Sequence, residues 1–222
     1  MAKRWISTGK WSVEDAFALQ ALQPLGGAYL PWTGFALRPS AVMTLINELM
    51  LNRAGAMLEL GSGLSTVVAA RYMRQCGPEG ARIVSVDDNP DWLERVQEYL
   101  DRDGLADLVE LVHAPLAPWA PADGAESGGE FPLPERWYDP VAIRRALDDD
   151  VDFLLVDGPP AKRTIARYPA MPELFGHLTP DATVVLDDAT RPGEVEIVAR
   201  WTESSGFRFV TDRTGLAVGR RA

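Results

Sequence analysis

The sequence holds a single cysteine, Cys76, among its 222 residues. One cysteine excludes an intramolecular disulfide, and such sparse cysteine usage suits a reducing compartment. A chain of this length buries enough surface to fold without covalent cross-links. We therefore expect a cytoplasmic protein whose core is held together by packing alone.

Excess basic charge and long apolar runs are also missing. The chain has 22 basic and 32 acidic residues, a net charge of −10, and no clustered Lys/Arg stripe. This balance disfavours nucleic acid as a partner, because binding the phosphate backbone needs a basic face. No run approaches the roughly 20 apolar residues that span a bilayer. The opening MAKRWISTGKW has no apolar run after its basic residues, so we expect neither a signal peptide nor membrane association.

Short apolar runs alternate with helical patterns through most of the chain. Runs such as DFLLVD and ATVVLDD are apolar on both faces, as are strands buried in a parallel sheet. Strands are predicted at Ala56–Leu60, Arg82–Val86, Val109–Val112, Val151–Val156, Thr183–Leu186, Phe207–Thr211 and Leu216–Val218. Helices are predicted at Ser12–Leu22, Ser40–Arg53, Ser65–Gln75, Pro90–Asp101, Val141–Leu147 and Glu194–Ser204. The order predicts an α/β fold, a Rossmann-like doubly wound sheet of seven strands, mostly parallel, with an antiparallel C-terminal hairpin edge.

Residues 1–39 are rich in Trp, Gly and Pro and lie outside this alternation. We expect them to form an arm or lid that precedes a domain of residues 40–222. Tyr29, Trp32 and Phe35 suit a lid that closes over a site, but they equally suit a packed arm or the contact of a homodimer.

A Pro/Gly-rich insertion at about 115–140 also interrupts the pattern. It is too long for an ordinary connection, and we expect its middle, Ala122–Glu130, to be mobile surface. Its end carries Trp137 and Tyr138, which either pack the loop against the domain or face a substrate.

The stretch LELGSG joins the first strand to a helix. Gly61, Ser62 and Gly63 follow the strand, at the edge where open α/β sheets bind ligands. A dinucleotide fingerprint needs glycine where Thr66 stands, and a phosphate loop needs a lysine that is missing. Glu59 would repel a pyrophosphate, whereas a positively charged ligand without phosphate would be favoured there.

The second strand ends in VSVDD. Asp87 is placed to accept hydrogen bonds from two ribose hydroxyls, a role that nucleotide-binding sheets share. Asp88 follows it. LELGSG and VSVDD together resemble the first two signature regions of class I S-adenosylmethionine-dependent methyltransferases. The resemblance implies that the cofactor is held by Glu59, Gly61, Ser62, Gly63, Ser65, Thr66, Asp87 and Asp88.

Two later strands also end in acids, Asp157 and the pair Asp187 and Asp188. Unpaired buried charge is costly, so these carboxylates must be hydrated, paired with cations or bound to a metal. Their places resemble the metal site of catechol-type and caffeoyl-coenzyme-A-type O-methyltransferases, although Asp188 stands where that family has Asn. The resemblance implies Mg²⁺. Two alternatives stay open: ion pairing with Lys162, Arg163, Arg167 and Arg191, or a role of Asp157 in binding substrate or cofactor without metal.

Three residues are candidates for catalysis: Asp157, Lys162 and His113. Lys162 follows Asp157 closely, but the catechol-type family places its lysine where this chain has Pro160. His113 ends the third strand, where a lone histidine also serves structure.

DGPP, RYPA and LPWTGFALRPS resemble a group of bacterial class I methyltransferases, for which the resemblance implies a fold and a cofactor but no substrate. The sequence therefore predicts an S-adenosylmethionine-dependent methyltransferase that methylates a hydroxyl oxygen of a small molecule. Two alternatives stay open: an NAD-dependent oxidoreductase on a similar sheet, and a non-catalytic nucleotide-binding or scaffold protein.

Overall fold

Seven strands form one central sheet in the computed structural model, which describes residues 11–121, 129–148, 150–160 and 164–222. The strands in chain order are β1 (Ala56–Leu60), β2 (Arg82–Asp87), β3 (Val109–His113), β4 (Leu116–Pro118), β5 (Arg136–Tyr138), β6 (Val151–Val156), β7 (Leu178–Leu186), β8 (Phe207–Thr211) and β9 (Ala217–Arg221). The sheet order is β3-β2-β1-β6-β7-β9-β8. Neighbouring strands from β3 to β7 run parallel, and β9 runs antiparallel to both β7 and β8. The predicted fold class, including its C-terminal hairpin edge, is confirmed.

The helices connect these strands and cover the sheet. They are α1 (Val13–Ala21), α2 (Pro39–Leu51), α3 (Leu64–Cys76), α4 (Pro90–Asp103), α5 (Pro140–Arg145), α6 (Ala170–Leu174) and α7 (Pro192–Ser205). Each predicted helix is present with ends shifted by a few residues, whereas α6 was not predicted. Exposed Cys76 ends α3. Within the described part of the chain, no helix combines the length and apolarity needed to cross a bilayer.

The strand order reverses direction at β1. From β1 the chain adds β2 and β3 on one side, then returns to place β6 and β7 on the other. Because ligands bind outside the carboxyl ends of strands at such a switch point, the candidate site is the crevice beyond β1 and β6. Gly61 and Asp157 directly follow these two strands.

The insertion after β3 is anchored at both ends. β4 and β5 pair antiparallel and form a separate small sheet. Trp137 and Tyr138 on β5 are buried, so the end of the loop is docked against the domain. The segment predicted to be mobile is Ala122–Glu130. Its residues 122–128 lie outside the part of the chain that the structure describes.

Asp15 on α1 fastens the N-terminal arm to the start of α2. Its fully buried carboxylate accepts hydrogen bonds from the Ser40 hydroxyl at 2.7 Å and the Ser12 N–H at 2.8 Å, and it pairs with Arg38. Burial opposes ionisation, but the hydrogen bonds from Arg38, Ser12 and Ser40 outweigh it and hold the pKa of Asp15 well below its usual range.

In the described part of the arm, residues 11–39, two of the aromatic side chains are largely exposed. Tyr29 and Phe35 are 79% and 74% exposed, while Trp32 packs edge-to-face on Trp11. The assignment of the arm as a lid or a dimer contact stays a prediction.

We expect Asp15→Asn to lower the free energy of unfolding by about 2–4 kcal/mol, because buried donors lose a charged acceptor. The lowered pKa means that the wild-type contribution is present above about pH 4 and is lost as the pH falls through the folded-state value. Urea unfolding at pH 7 and at about pH 2.5 measures both effects. Asp181→Asn on the exposed part of β7 is the control. A loss equal to that of the control at pH 7 would contradict the anchoring role.

Candidate active site

Gly61 forms the floor of the crevice. Its φ of +102° lies in the region that favours glycine, and its N–H donates to the Val86 carbonyl at 2.8 Å. A Cβ at this position would lie 3.0 Å from the backbone nitrogen of Gly158 and 3.1 Å from the carbonyl carbon of Asp157. The backbones after β1 and β6 therefore touch, and only glycine allows that approach.

Glu59 organises the loop from below. Its carboxylate is fully buried and accepts hydrogen bonds from the hydroxyls of Ser65 at 2.5 Å, Ser85 at 2.6 Å and Thr66. Burial raises the pKa of Glu59, and the three hydroxyls oppose the rise. The sequence suggested that Glu59 meets a cationic ligand directly. The structure instead places it beneath the crevice, where these three hydroxyls surround its oxygens.

Two further contacts fix the loop. The Ser62 hydroxyl lies 2.8 Å from the Ser85 hydroxyl, and the Gly63 N–H donates to the Thr66 hydroxyl at 2.8 Å. The Trp92 indole N–H at the start of α4 donates to the Ser62 carbonyl at 2.7 Å. Sequence reasoning missed Trp92. The only available signal was its place in the first turn of the helix after β2.

Asp87 and Asp88 lie partly buried at the end of β2. The Asn89 N–H donates to Asp87 at 2.9 Å. Burial raises the pKa of Asp87 to about 6, the N–H groups of Asn89 and Ser62 oppose the rise, and the charge of Asp88 adds to it. Because the ionised carboxylate of Asp87 is only partly stabilised by its neighbours, it can still accept hydrogen bonds from the hydroxyl groups of a ligand.

His113 lies in register with Asp87, at the exposed end of edge strand β3. Three strand spacings, about 14 Å, separate it from Asp157 on β6. The structure therefore does not bring these two catalytic candidates together. Lys162, the third candidate, lies outside the described residues.

Asp157, Asp187 and Asp188 converge at the ends of β6 and β7. Carboxylate oxygens of the three lie within 4.8 Å of one another. Asp188 has a φ of +58°, a left-handed conformation that Asp and Asn tolerate better than most residues. The predicted grouping of the three acids is thus present.

Arg167 lies at the centre of these acids. Its guanidinium donates to the carboxylates of Asp157 at 3.0 Å and Asp188 at 3.3 Å, and to the backbone carbonyls of Asp157 at 2.6 Å and Asp187 at 2.8 Å. Arg167 is only 4% exposed. Arg191, more exposed, pairs with Asp188 at 2.6 Å. Arg167 and Arg191 thus form the ion pairs that the sequence offered as the alternative to a metal. Arg163 lies outside the described residues.

The carboxyls of Asp157 and Asp187 perturb each other. Burial raises the pKa of Asp157 well above its usual range, and the charge of Asp187 adds to the rise while Arg167 opposes it. Burial also raises the pKa of Asp187. Because the two carboxyls are coupled, they titrate as a pair, and the pair retains a proton to higher pH than a solvated aspartate.

The three acids are grouped closely enough for a divalent cation, but a buried guanidinium lies among them. Mg²⁺ binds oxygen at about 2.0–2.1 Å and prefers an octahedral shell with several waters. Two of the three carboxylates already receive hydrogen bonds from the buried guanidinium of Arg167. The acids are grouped as the metal-site resemblance implies, but the cation that contacts them belongs to the chain.

Tyr138 closes the crevice from the side of the insertion. A Cβ at Gly158 would lie 2.2 Å from its hydroxyl oxygen, so this hydroxyl sits directly over the backbone that follows Asp157. Burial raises the pKa of Tyr138, and the charges of Asp87, Asp88 and Asp157 add to the rise. Its hydroxyl therefore stays protonated at neutral pH.

A family model described as a methyltransferase domain matches residues 58–189, more than half of the chain. This match covers the last three residues of β1, the glycine loop and the three aspartates that follow β6 and β7. No curated protein sequence matches the chain.

Solved structures share the fold at low sequence identity. An O-methyltransferase from Bacillus cereus in complex with SAH has a TM-score of 0.59 and 15% identity, over 97% of this chain and 93% of that chain. The O-methyltransferase TomG from Streptomyces achromogenes, involved in tomaymycin synthesis and solved with SAM, has a TM-score of 0.57 and 19% identity, over 100% and 99%. The SAH-bound methyltransferase PaMTH1 from Podospora anserina has a TM-score of 0.61 and 14% identity, over 97% and 90%.

We expect Gly61→Ala to destabilise the protein more than Gly80→Ala does. Both glycines have positive φ, but a Cβ at Gly80 meets nothing within 4 Å, whereas at Gly61 it presses on the backbone of Gly158. Gly80→Ala therefore isolates the cost of the backbone conformation, about 1–3 kcal/mol, and Gly61→Ala adds the overlap. Urea unfolding of both variants measures the difference. Equal losses would show that the two backbones separate freely.

Asp87→Asn is expected to raise the free energy of unfolding by about 1–3 kcal/mol at pH 7, because the folded protein no longer keeps a buried carboxylate ionised. The folded-state pKa of about 6 lies above the ordinary value of 3.8. The wild type therefore gains relative stability as the pH falls through this window, and the advantage of the variant disappears near pH 4. Denaturation at pH 4, 5.5 and 7, with Asp181→Asn as control, tests this. An advantage that does not change with pH would contradict the assigned shift.

Proposed function

Because the chain belongs to the methyltransferase-domain family, we propose that it transfers the methyl group of S-adenosylmethionine to a hydroxyl oxygen of a small-molecule acceptor. The observation that carries this proposal is the crevice at the switch point, where the glycine loop after β1 faces Asp87 on β2 and the acids after β6. One ligand that crosses this crevice can meet the ribose-binding carboxylate and the acidic cluster together.

The contacts around the glycine loop support a division of roles within the proposed cofactor site. Gly61, Ser62 and Gly63 offer backbone at close approach, and Asp87 accepts hydrogen bonds from the ribose hydroxyls. Glu59, Ser65 and Thr66 hold the loop in shape from beneath, so they position it without touching the ligand. Asp88 adds negative charge beside Asp87, in keeping with a cofactor that carries no phosphate.

S-adenosylmethionine supplies a methyl group on a positively charged sulfur. In the reaction the acceptor oxygen forms a bond to the methyl carbon, the bond from carbon to sulfur breaks, its electron pair returns to sulfur, and the hydroxyl proton leaves. The contribution of the protein is chiefly to align the oxygen, the carbon and the sulfur.

The proton needs an acceptor near the methyl group. Of the two predicted candidates that the structure describes, Asp157 and His113, Asp157 lies at the switch point, next to Gly61. Its coupling to Asp187 gives a carboxyl pair whose ionised member is a stronger base than a solvated aspartate. We therefore assign proton removal to this pair. His113 lies on the far edge strand, beyond reach of the same reacting atoms.

Isothermal titration with S-adenosylmethionine, with SAH and with NAD⁺ tests the proposal. We expect the first two to bind and NAD⁺ not to bind. Asp87→Asn should weaken S-adenosylmethionine binding by about 10–100-fold, because a charged acceptor for hydroxyls is lost. Asp181→Asn, which removes a carboxylate far from the crevice, should leave the affinity unchanged.

Other outcomes separate the alternatives. Binding of NAD⁺ alone would favour the oxidoreductase, and no binding of either ligand would favour a non-catalytic scaffold. Undiminished affinity in Asp87→Asn would remove Asp87 from the site without removing the activity.

A further inference from the structure

We propose that Arg167 takes the place of a divalent metal in this active site, so that the three aspartates at the ends of β6 and β7 work without Mg²⁺. The role of Arg167 in catalysis rests on the proposed methyl transfer, but the contacts from which it is inferred do not involve the cofactor.

The guanidinium of Arg167 is held by four acceptors. Two are the carboxylates of Asp157 and Asp188, at 3.0 and 3.3 Å, and two are the backbone carbonyls of Asp157 and Asp187, at 2.6 and 2.8 Å. The backbone carbonyls come from the ends of two neighbouring strands, so the guanidinium bridges β6 and β7. Glu194 adds a further negative charge at 3.9 Å. A side chain with this many partners and 4% exposure does not swing aside without cost.

A metal ion bound beside this guanidinium would share two of its carboxylates, Asp157 and Asp188. A cation that bridges the carboxylates of Asp157 and Asp188 would sit at about 2 Å from each oxygen, next to the nitrogen that already donates to both. Two positive groups in a buried site repel each other strongly. Arginine cannot escape by losing its proton, because its guanidinium stays protonated in proteins. The guanidinium of Arg167 is therefore a permanent positive charge at the place where a metal ion would bind.

An arginine in place of a metal ion changes the chemistry of the site. A metal would lower the pKa of a bound acceptor hydroxyl directly, whereas a guanidinium enclosed by four acceptors orients the carboxyls. Arg167 is thus a positioning residue. It bridges the carboxylates of Asp157 and Asp188 and fixes the strand ends, and proton removal falls to the carboxyl pair. The requirement on the acceptor changes accordingly, since it no longer needs two oxygens to chelate an ion.

The test measures binding of Mn²⁺ to the full chain. Bound metal is first removed with EDTA, and the electron paramagnetic resonance signal of free Mn²⁺ then reports how much Mn²⁺ the protein binds. Mn²⁺ shares the preference of Mg²⁺ for carboxylate oxygen. We expect no uptake by the wild type. Arg167→Met keeps a long side chain but removes the cation, and it should bind Mn²⁺ at least about tenfold more tightly than the wild type, with release by added Mg²⁺.

Two variants make the result specific. Arg191→Met removes the exposed partner of Asp188 and leaves Arg167 in place, so it should not gain Mn²⁺ binding. The double variant Arg167→Met with Asp157→Ala, which removes a carboxylate ligand outright, should lose the gain. Far-ultraviolet circular dichroism checks that each variant is folded.

Uptake of Mn²⁺ by the wild type that Mg²⁺ reverses and Asp157→Ala abolishes would overturn the proposal. A folded Arg167→Met that gains no binding would overturn it as well. If Arg167→Met does not fold, the wild-type titration decides alone. A protein that binds neither S-adenosylmethionine nor Mn²⁺ would lose its proposed function, while the assignment of Arg167 would stand.

Discussion

The fully buried carboxylate of Glu59 is the interaction on which the site depends. It stands on β1 and gathers hydroxyls from the first turn of α3 and from β2, so one side chain joins three elements at the switch point. A buried carboxylate without such donors would be strongly destabilising, and the donors without the carboxylate would lose their common acceptor. The glycine loop keeps its shape because its two ends are tied to this point.

The acids of the chain show two ways to keep a carboxylate out of water. Asp15 and Glu59 are surrounded by donors from their own neighbourhood and serve structure. The acids at the crevice are less completely satisfied: Asp87 receives backbone N–H groups and is raised in pKa, and Asp157 shares its environment with Asp187. Incomplete satisfaction is a cost in stability that leaves oxygen atoms available to a ligand, as is common at active sites. Arg167 limits that cost at the most crowded position.

The sequence was sufficient for the sheet and for the positions of the strand-end residues, because buried parallel strands are nearly continuous apolar runs and their carboxyl ends must share one edge. It was not sufficient for what those residues contact. Glu59 and Asp87 both belong to signature motifs, yet one points beneath the loop and the other lines the crevice, since strand alternation and the helix that follows decide the direction. Arg167 lies in an irregular segment before α6, ten residues from Asp157, where no periodicity indicates which of several nearby cations will be buried. Trp92 and Tyr138 likewise owe their roles to packing between distant segments.

Cys76 gives the molecule a convenient point of attachment. It is exposed and ends α3, whose first turn adjoins the glycine loop, and 13 helical residues place about 20 Å between the thiol and the crevice. A fluorophore or spin label attached there would be the single label in the chain and would report on the far end of a rigid helix rooted in the site. Distances from that fixed point to a ligand or to the N-terminal arm can therefore be measured without altering any residue.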